Sequence, residues 1–84
     1  MPQPDMPILT LYTGVGCPLC EQARVLLQPL IAETGWQLRE IRITGNAELA
    51  RRYGLRIPVV VTPDGRDKGW PFTPGQIRRL LQQG

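Results

Sequence analysis

A strand-like run, a helical repeat and a second strand-like run follow one another over the first half of the chain, and this order constrains the fold more than any other feature. Ile8 to Tyr12, "ILTLY", is β-branched and aromatic, the composition of a buried strand. From Pro18 onward Leu19, Ala23, Leu26, Leu27, Leu30 and Ile31 recur at helical spacing and give the helix one apolar face. Gly35 ends that helix, and "WQLREIRI" alternates Trp36, Leu38 and, after Arg39 and Glu40, Ile41 and Ile43 as a second strand. A strand, a crossover helix and a strand imply parallel pairing with a right-handed connection. Pro29 lies deep in the helical pattern, where it opposes the carbonyl of Val25 at a cost of about 3 kcal/mol unless the helix kinks or restarts, so a bend is expected there.

The second half supplies a different unit. Asn46 can cap a short helix carrying Leu49, Ala50 and Tyr53, with Gly54 at its stop and Leu55 expected to fold back on it. Val59, Val60 and Val61 are the most strand-like run in the chain, and Pro63, Asp64 and Gly65 turn it into an antiparallel partner ending near Trp70. Thr73, Pro74 and Gln76 form a capping box with proline at the first helical position, and Phe72 can staple onto Ile77. Ile77, Leu80 and Leu81 bury one face of that last helix, while Arg78 and Arg79 point outward near the negative end of its dipole. The order strand, helix, strand, helix, strand, strand, helix joins a parallel βαβ half to a ββα half in one four-stranded mixed α/β sheet. Residues 1–7, with Pro2, Pro4 and Pro7, read as an extended lead-in, and residues 8–84 as a single domain.

Bulk composition narrows the function classes. At 84 residues, with 42% hydrophobic and 20% charged, the chain is an ordinary single folded domain, not a disordered one. No run approaches the roughly 18 apolar residues of a membrane span, and "MPQPDMP" has neither the basic nor the apolar region of a secretory signal. A cytoplasmic protein with no membrane partner is expected. The net charge of +3 comes from basic residues scattered over helices and turns, which reads as solvated faces and not as a nucleic-acid track.

The chemistry concentrates at Cys17 and Cys20, the two cysteines of the chain. Gly14 and Gly16 let the backbone turn sharply out of the first strand, which puts Cys17 at the helix cap and Pro18 at the first helical position. A thiol attacks as its thiolate, and the unpaired amides and positive dipole end of a helix N-terminus lower its pKa from about 8.5. Cys17 is placed to accept from the amide of Leu19 or Cys20, whereas Cys20, one turn in, is expected to be more buried and less acidic. Cys17 would then attack a disulfide and Cys20 would resolve the mixed disulfide by closing the ring. Cys-x-x-Cys is also half of a zinc site, but the chain has no histidine and no further cysteine, so a Cys₄ site would have to be shared between two copies. Two small apolar residues packed at a helix start are the third reading. No metal is expected.

"LTLYTGVGCPLC" at the end of a first strand, "RIPVVV" with proline at the head of a third, then "DGRDKGW" and a closing helix resemble the glutaredoxin-like branch of the thioredoxin-fold oxidoreductases. The resemblance runs over nearly the whole chain from Ile8. It implies a thioredoxin-like βαβ-α-ββα fold with helices on both sheet faces. It also implies Cys17 as nucleophile, Cys20 as resolving thiol, a cis Pro58 facing the sulfurs, and Ile57 as the residue whose backbone pairs with a bound substrate. An Xaa-Pro bond starting a strand is cis at modest cost, and proline there leaves an edge without a donor; a trans proline heading an edge strand is the alternative. The chain differs from glutaredoxins proper at Gly14, where they usually carry lysine, at "RIP", where they read threonine-valine-proline, and at "KGWPFTPG", where they place a glycine pair that contacts glutathione. Arg56 could replace the missing cation, or stand as a solvated strand-end arginine.

The resulting expectation is a monomeric thiol–disulfide oxidoreductase without a bound cofactor. It would act on a protein disulfide or small thiol substrate and be regenerated by glutathione or another thiol reductant. The rival is a non-catalytic module of the same fold that holds a peptide or partner at the groove around Ile57 and Pro58. Tyr12 could line the site or be a core tyrosine with a wet hydroxyl, and Trp70 could plug the core beneath the last helix or meet a partner.

Overall fold

A computed structural model of the chain describes residues 7–82. Of the expected lead-in only Pro7 is among them, and its carbonyl accepts from the Gln37 amide at 2.9 Å; residues 1–6 lie outside the description. The elements are β1 (Ile8–Thr13), α1 (Pro18–Thr34), β2 (Gln37–Arg42), α2 (Ala47–Tyr53), β3 (Val59–Val61), β4 (Asp67–Gly69) and α3 (Pro74–Gln82). They form one four-stranded sheet in the order β2-β1-β3-β4, with β1 parallel to β2 and antiparallel to β3, and β3 antiparallel to β4. The element order is the expected one.

The period of two along β1 divides the molecule into two sides. Leu9 and Leu11 are fully buried and face a core built with Ala23, Leu27 and Leu30 of α1, Val60 of β3, and Ile77 and Leu81 of α3. Tyr12 points to the opposite face, where its ring stacks on Tyr53 of α2 with centroids 4.5 Å apart. Helices therefore cover both faces, and Tyr12 serves to pack α2 onto the sheet. Trp70 meets Phe72 edge-on at 5.0 Å, packs partly against the core and borders Val25 and Leu26 of α1. Both the Ile57–Pro58 and the Trp70–Pro71 peptide bonds are cis.

Local chemistry explains most element boundaries. Gly35 takes a left-handed φ of 78° at the end of α1 and donates to the Ile31 carbonyl, as a helix-stopping glycine should. The Asn46 side chain accepts from the Leu49 amide at 3.0 Å, and Thr73 and Gln76 exchange reciprocal backbone-to-side-chain bonds at 3.0 and 3.2 Å. Arg78 on α3 reaches Glu33 on α1 at 2.8 Å, which ties the two helices together on the solvent side. The described residues include no helix long and apolar enough to cross a membrane.

α1 continues through Pro29 as one helix. Pro29 and Val25 both lie on the exposed side, where water can serve the carbonyl that has no intrahelical donor. Leu55 does not fold back on α2 but is fully exposed. The fold-back needs a left-handed residue at the stop, whereas Gly54 keeps right-handed helical angles (φ −53°, ψ −36°) and the chain winds on, with Arg56 and Ile57 both donating to the Tyr53 carbonyl.

Candidate redox site

The site forms where β1 ends and α1 begins. Thr13 closes the strand, and Gly16 adopts a φ of 61° that lets the chain swing into an extended Cys17 (φ −113°, ψ 95°) at the helix cap. Cys17 and Cys20 are joined as a disulfide with Cα atoms 5.2 Å apart. The Cys20 amide donates to Cys17 Sγ at 3.2 Å, so the cap position of Cys17 is filled by its sulfur. Cys17 is half-buried, whereas Cys20 is only 2% exposed. The outer sulfur can meet a partner and the inner one cannot without the outer.

β3 brings the second part of the site to the same end of the sheet. Val59 pairs with Tyr12, so Pro58, one step beyond, lies alongside the end of β1 from which the cysteine loop departs. Pro58 is fully buried and its carbonyl accepts from the Trp70 amide at 2.9 Å. Ile57 donates its own amide to the Tyr53 carbonyl at 3.1 Å. Its side chain extends across the cysteine loop: a Cβ placed on Gly14 would stand 2.7 Å from Ile57 Cδ1. The space over Gly14 therefore belongs to Ile57.

Arg56 does not reach toward the sulfurs. Its guanidinium grips Asp67 of β4 through two bonds of 2.7 and 3.3 Å, which hold the Asp67 carboxyl below and the Arg56 group above their ordinary values.

A polar cluster beside the cysteines escaped the sequence reading. A cleft of about 440 Å³ is lined by both cysteines together with Thr13, Arg24, Glu40 and Arg42. Glu40 accepts from Arg24 at 2.8 and 2.7 Å and from the buried Thr13 hydroxyl at 3.3 Å; the Arg24 bonds chiefly hold its carboxyl below the usual range. Arg24 also meets Glu21 at 2.7 Å, so one guanidinium is shared by two carboxylates. Two signals for this cluster were present. Arg24 lies four residues after Cys20, on the same helix face, and Glu40 falls where the apolar alternation of β2 is interrupted, opposite Leu11. Among the described residues no three histidine, cysteine or acidic side chains gather as a metal site.

Comparison with known proteins agrees with this geometry. A protein of Xanthomonas campestris, XcR50, is 36% identical, and its X-ray structure superposes with a TM-score of 0.77 over 90% of this chain and 97% of that one. Protein Ne2328 of Nitrosomonas europaea is 27% identical with a TM-score of 0.76 over 96% of each chain. An uncharacterized protein of Mycobacterium tuberculosis is 32% identical over 78 residues, covering 86% of this chain and 79% of that protein. Thioredoxin-2 of the malaria parasite shares the fold alone, with a TM-score of 0.76 at 14% identity over 100% of this chain and 88% of that one. The glutaredoxin-like domain family (DUF836) matches residues 8–82, and the chain, with its thioredoxin-like fold and a cysteine pair at disulfide distance, belongs to that family.

Proposed function

We propose that this protein is a thiol–disulfide oxidoreductase in which Cys17 attacks and Cys20 resolves. The observation that carries the reading is the pair itself: a disulfide at a helix N-terminus whose outer sulfur is accessible and amide-bonded while the inner one is buried. Helix N-termini lower a thiol pKa from about 8.5 toward or below neutrality, so the reduced Cys17 would be held in its reactive form. In the reductive direction the Cys17 thiolate attacks one sulfur of a substrate disulfide. That S–S bond breaks and the departing thiolate takes a proton from water. The Cys20 thiol then loses its proton to water and attacks Cys17 Sγ, and the second substrate thiol leaves. Two electrons pass to the substrate and the Cys17–Cys20 disulfide remains. An external thiol such as glutathione, in the cytoplasm, returns the pair to the reduced state; Pro58 borders the site, and the Ile57 carbonyl is the group offered to substrate backbone.

The test is the rate at which the reduced protein reduces a small-molecule disulfide, with Cys17→Ser and Cys20→Ser beside it. Cys17→Ser should fall to the uncatalysed rate, and Cys20→Ser should accumulate a mixed disulfide visible as a mass shift. Equal rates for Cys17→Ser and the unaltered protein would overturn the reading. So would a cysteine pair that forms no disulfide in equilibrium with a thiol buffer, an outcome that leaves the non-catalytic binding module standing.

A further inference from the structure

We infer that the disulfide handled here is carried by an extended polypeptide with a bulky apolar side chain beside its cysteine, received in the groove between Val15, Ile57 and α2; the inference rests on the oxidoreductase reading above. The groove measures about 590 Å³ and is lined by Gly14, Val15, Ile43, Ala47, Ala50 and Ile57, together with the 44–46 turn. None of these residues is charged. The Asn46 side chain at the start of α2 is already engaged by the Leu49 amide at 3.0 Å.

Position gives the groove its occupant. Gly14 and Val15 line both this groove and the cleft that holds the cysteines, so the two adjoin at those residues. Val15 is 68% exposed although apolar, and it stands two residues from the attacking sulfur. A chain whose cysteine is bonded to Cys17 can therefore lay a neighbouring residue along Val15 and Ile57. An apolar side chain gains most there, because no charged side chain lines the groove.

A carboxylate-bearing tripeptide thiol fits less well. Of the cations near the site, Arg56 is held by Asp67, and Arg24 is shared between Glu21 and Glu40. Arg42 lines the cysteine cleft, on the other side of the shared Gly14–Val15 wall, and not this groove. Ile57 covers Gly14, so no longer side chain rises from that position into the site.

Single-turnover reduction by the pre-reduced protein tests this with three probes: the disulfide dimer of a short peptide with leucine next to its cysteine, the same peptide with aspartate there, and glutathione disulfide. The leucine peptide should react about tenfold faster or more than either other probe, the ratio expected from burying part of one leucine side chain. Ala50→Glu, a change at an exposed residue of α2 that lines the groove, should erase most of that advantage. Ala50→Lys should instead raise the rate of the aspartate peptide. Three equal rates, a fastest rate for glutathione disulfide, or two Ala50 variants without effect on selectivity would each overturn the groove assignment while leaving the oxidoreductase reading intact. Reduction of all three probes no faster than by Cys17→Ser would instead remove the reading on which the inference rests.

Discussion

Gly14 and Ile57 should be energetically coupled, and a double-mutant cycle can measure by how much. The backbone of Gly14 lies outside the left-handed region, so alanine is conformationally acceptable there. Taken alone, replacing glycine at such a position stabilises by about 0.4–1 kcal/mol, because the unfolded chain loses freedom. Here the new Cβ would stand 2.7 Å from Ile57 Cδ1. Carbon atoms prefer about 3.5–4.0 Å, so Cδ1 has to retreat by about 1 Å. Cδ1 ends a half-buried side chain, and forcing it off its rotamer costs about 0.5–1.5 kcal/mol. Gly14→Ala should therefore be neutral to destabilising by about 1 kcal/mol in the unaltered protein. Ile57→Val removes the one atom in conflict. In that background Gly14→Ala should stabilise by about 0.5 kcal/mol, so the coupling is about 1 kcal/mol. Urea unfolding with the disulfide intact reads it directly: with a slope near 1 kcal/mol/M for a domain of this size, the double variant should unfold at a midpoint about 1 M above the additive expectation. Additivity within about 0.3–0.5 kcal/mol, or stabilisation by Gly14→Ala in both backgrounds, would show that Ile57 does not occupy the space above the cysteine loop.

Three further outcomes are expected. Leu27→Ala, at a fully buried position between α1 and the sheet, should cost about 2–5 kcal/mol in urea unfolding; a cost below 1 kcal/mol would mean that α1 is not seated as described. Asn46→Ala removes the side-chain acceptor for the Leu49 amide and should cost about 1 kcal/mol, with faster amide exchange confined to α2; uniform exchange would contradict a local cap. The Asp67 carboxyl is held below its ordinary value chiefly by Arg56, and that of Glu40 chiefly by Arg24, so each binds its proton less readily folded than unfolded. Their stabilisation is then fully present above about pH 4 and lost as pH falls through the folded values; Asp67→Asn should flatten that part of the stability–pH curve, and an unchanged slope would refute the pairing.

The parts of the fold that were legible are those fixed by neighbours in sequence. The capping box at Thr73 and Gln76, the Asn46 cap and the Gly35 stop each involve residues within four positions of one another, and each forms the expected bond. Where the outcome depended on one backbone angle, local reading failed. Gly54 has the composition of a left-handed stop, but it stays right-handed and sends Leu55 into solvent instead of back onto α2. Pro29 shows the opposite case, since a residue hostile to helices is tolerated where its face is wet and the rest of α1 is anchored by Ala23, Leu27 and Leu30. The Trp70–Pro71 cis bond had no signal in the sequence.

At the site, the sequence located the residues but not their partners, and the partners decide what the site can do. Arg56, which the sequence leaves open either as a replacement cation or as a solvated strand-end arginine, pairs with Asp67 on β4, 11 residues away. Arg24 and Glu40, 16 residues apart, looked like solvated charges on a helix and a strand, and they meet beside the cysteines because β2 runs parallel to β1 in the register that sets Glu40 opposite Leu11. Such pairings follow from strand register, which one sequence specifies only through the burial of all its faces together. The same register, through the Tyr12–Val59 pair, carries Ile57 over Gly14. Gly14, where glutaredoxins proper usually carry lysine, is thus not simply a missing charge, because the space above it is taken by the Ile57 side chain, whose Cδ1 lies 2.7 Å from where a Cβ would stand.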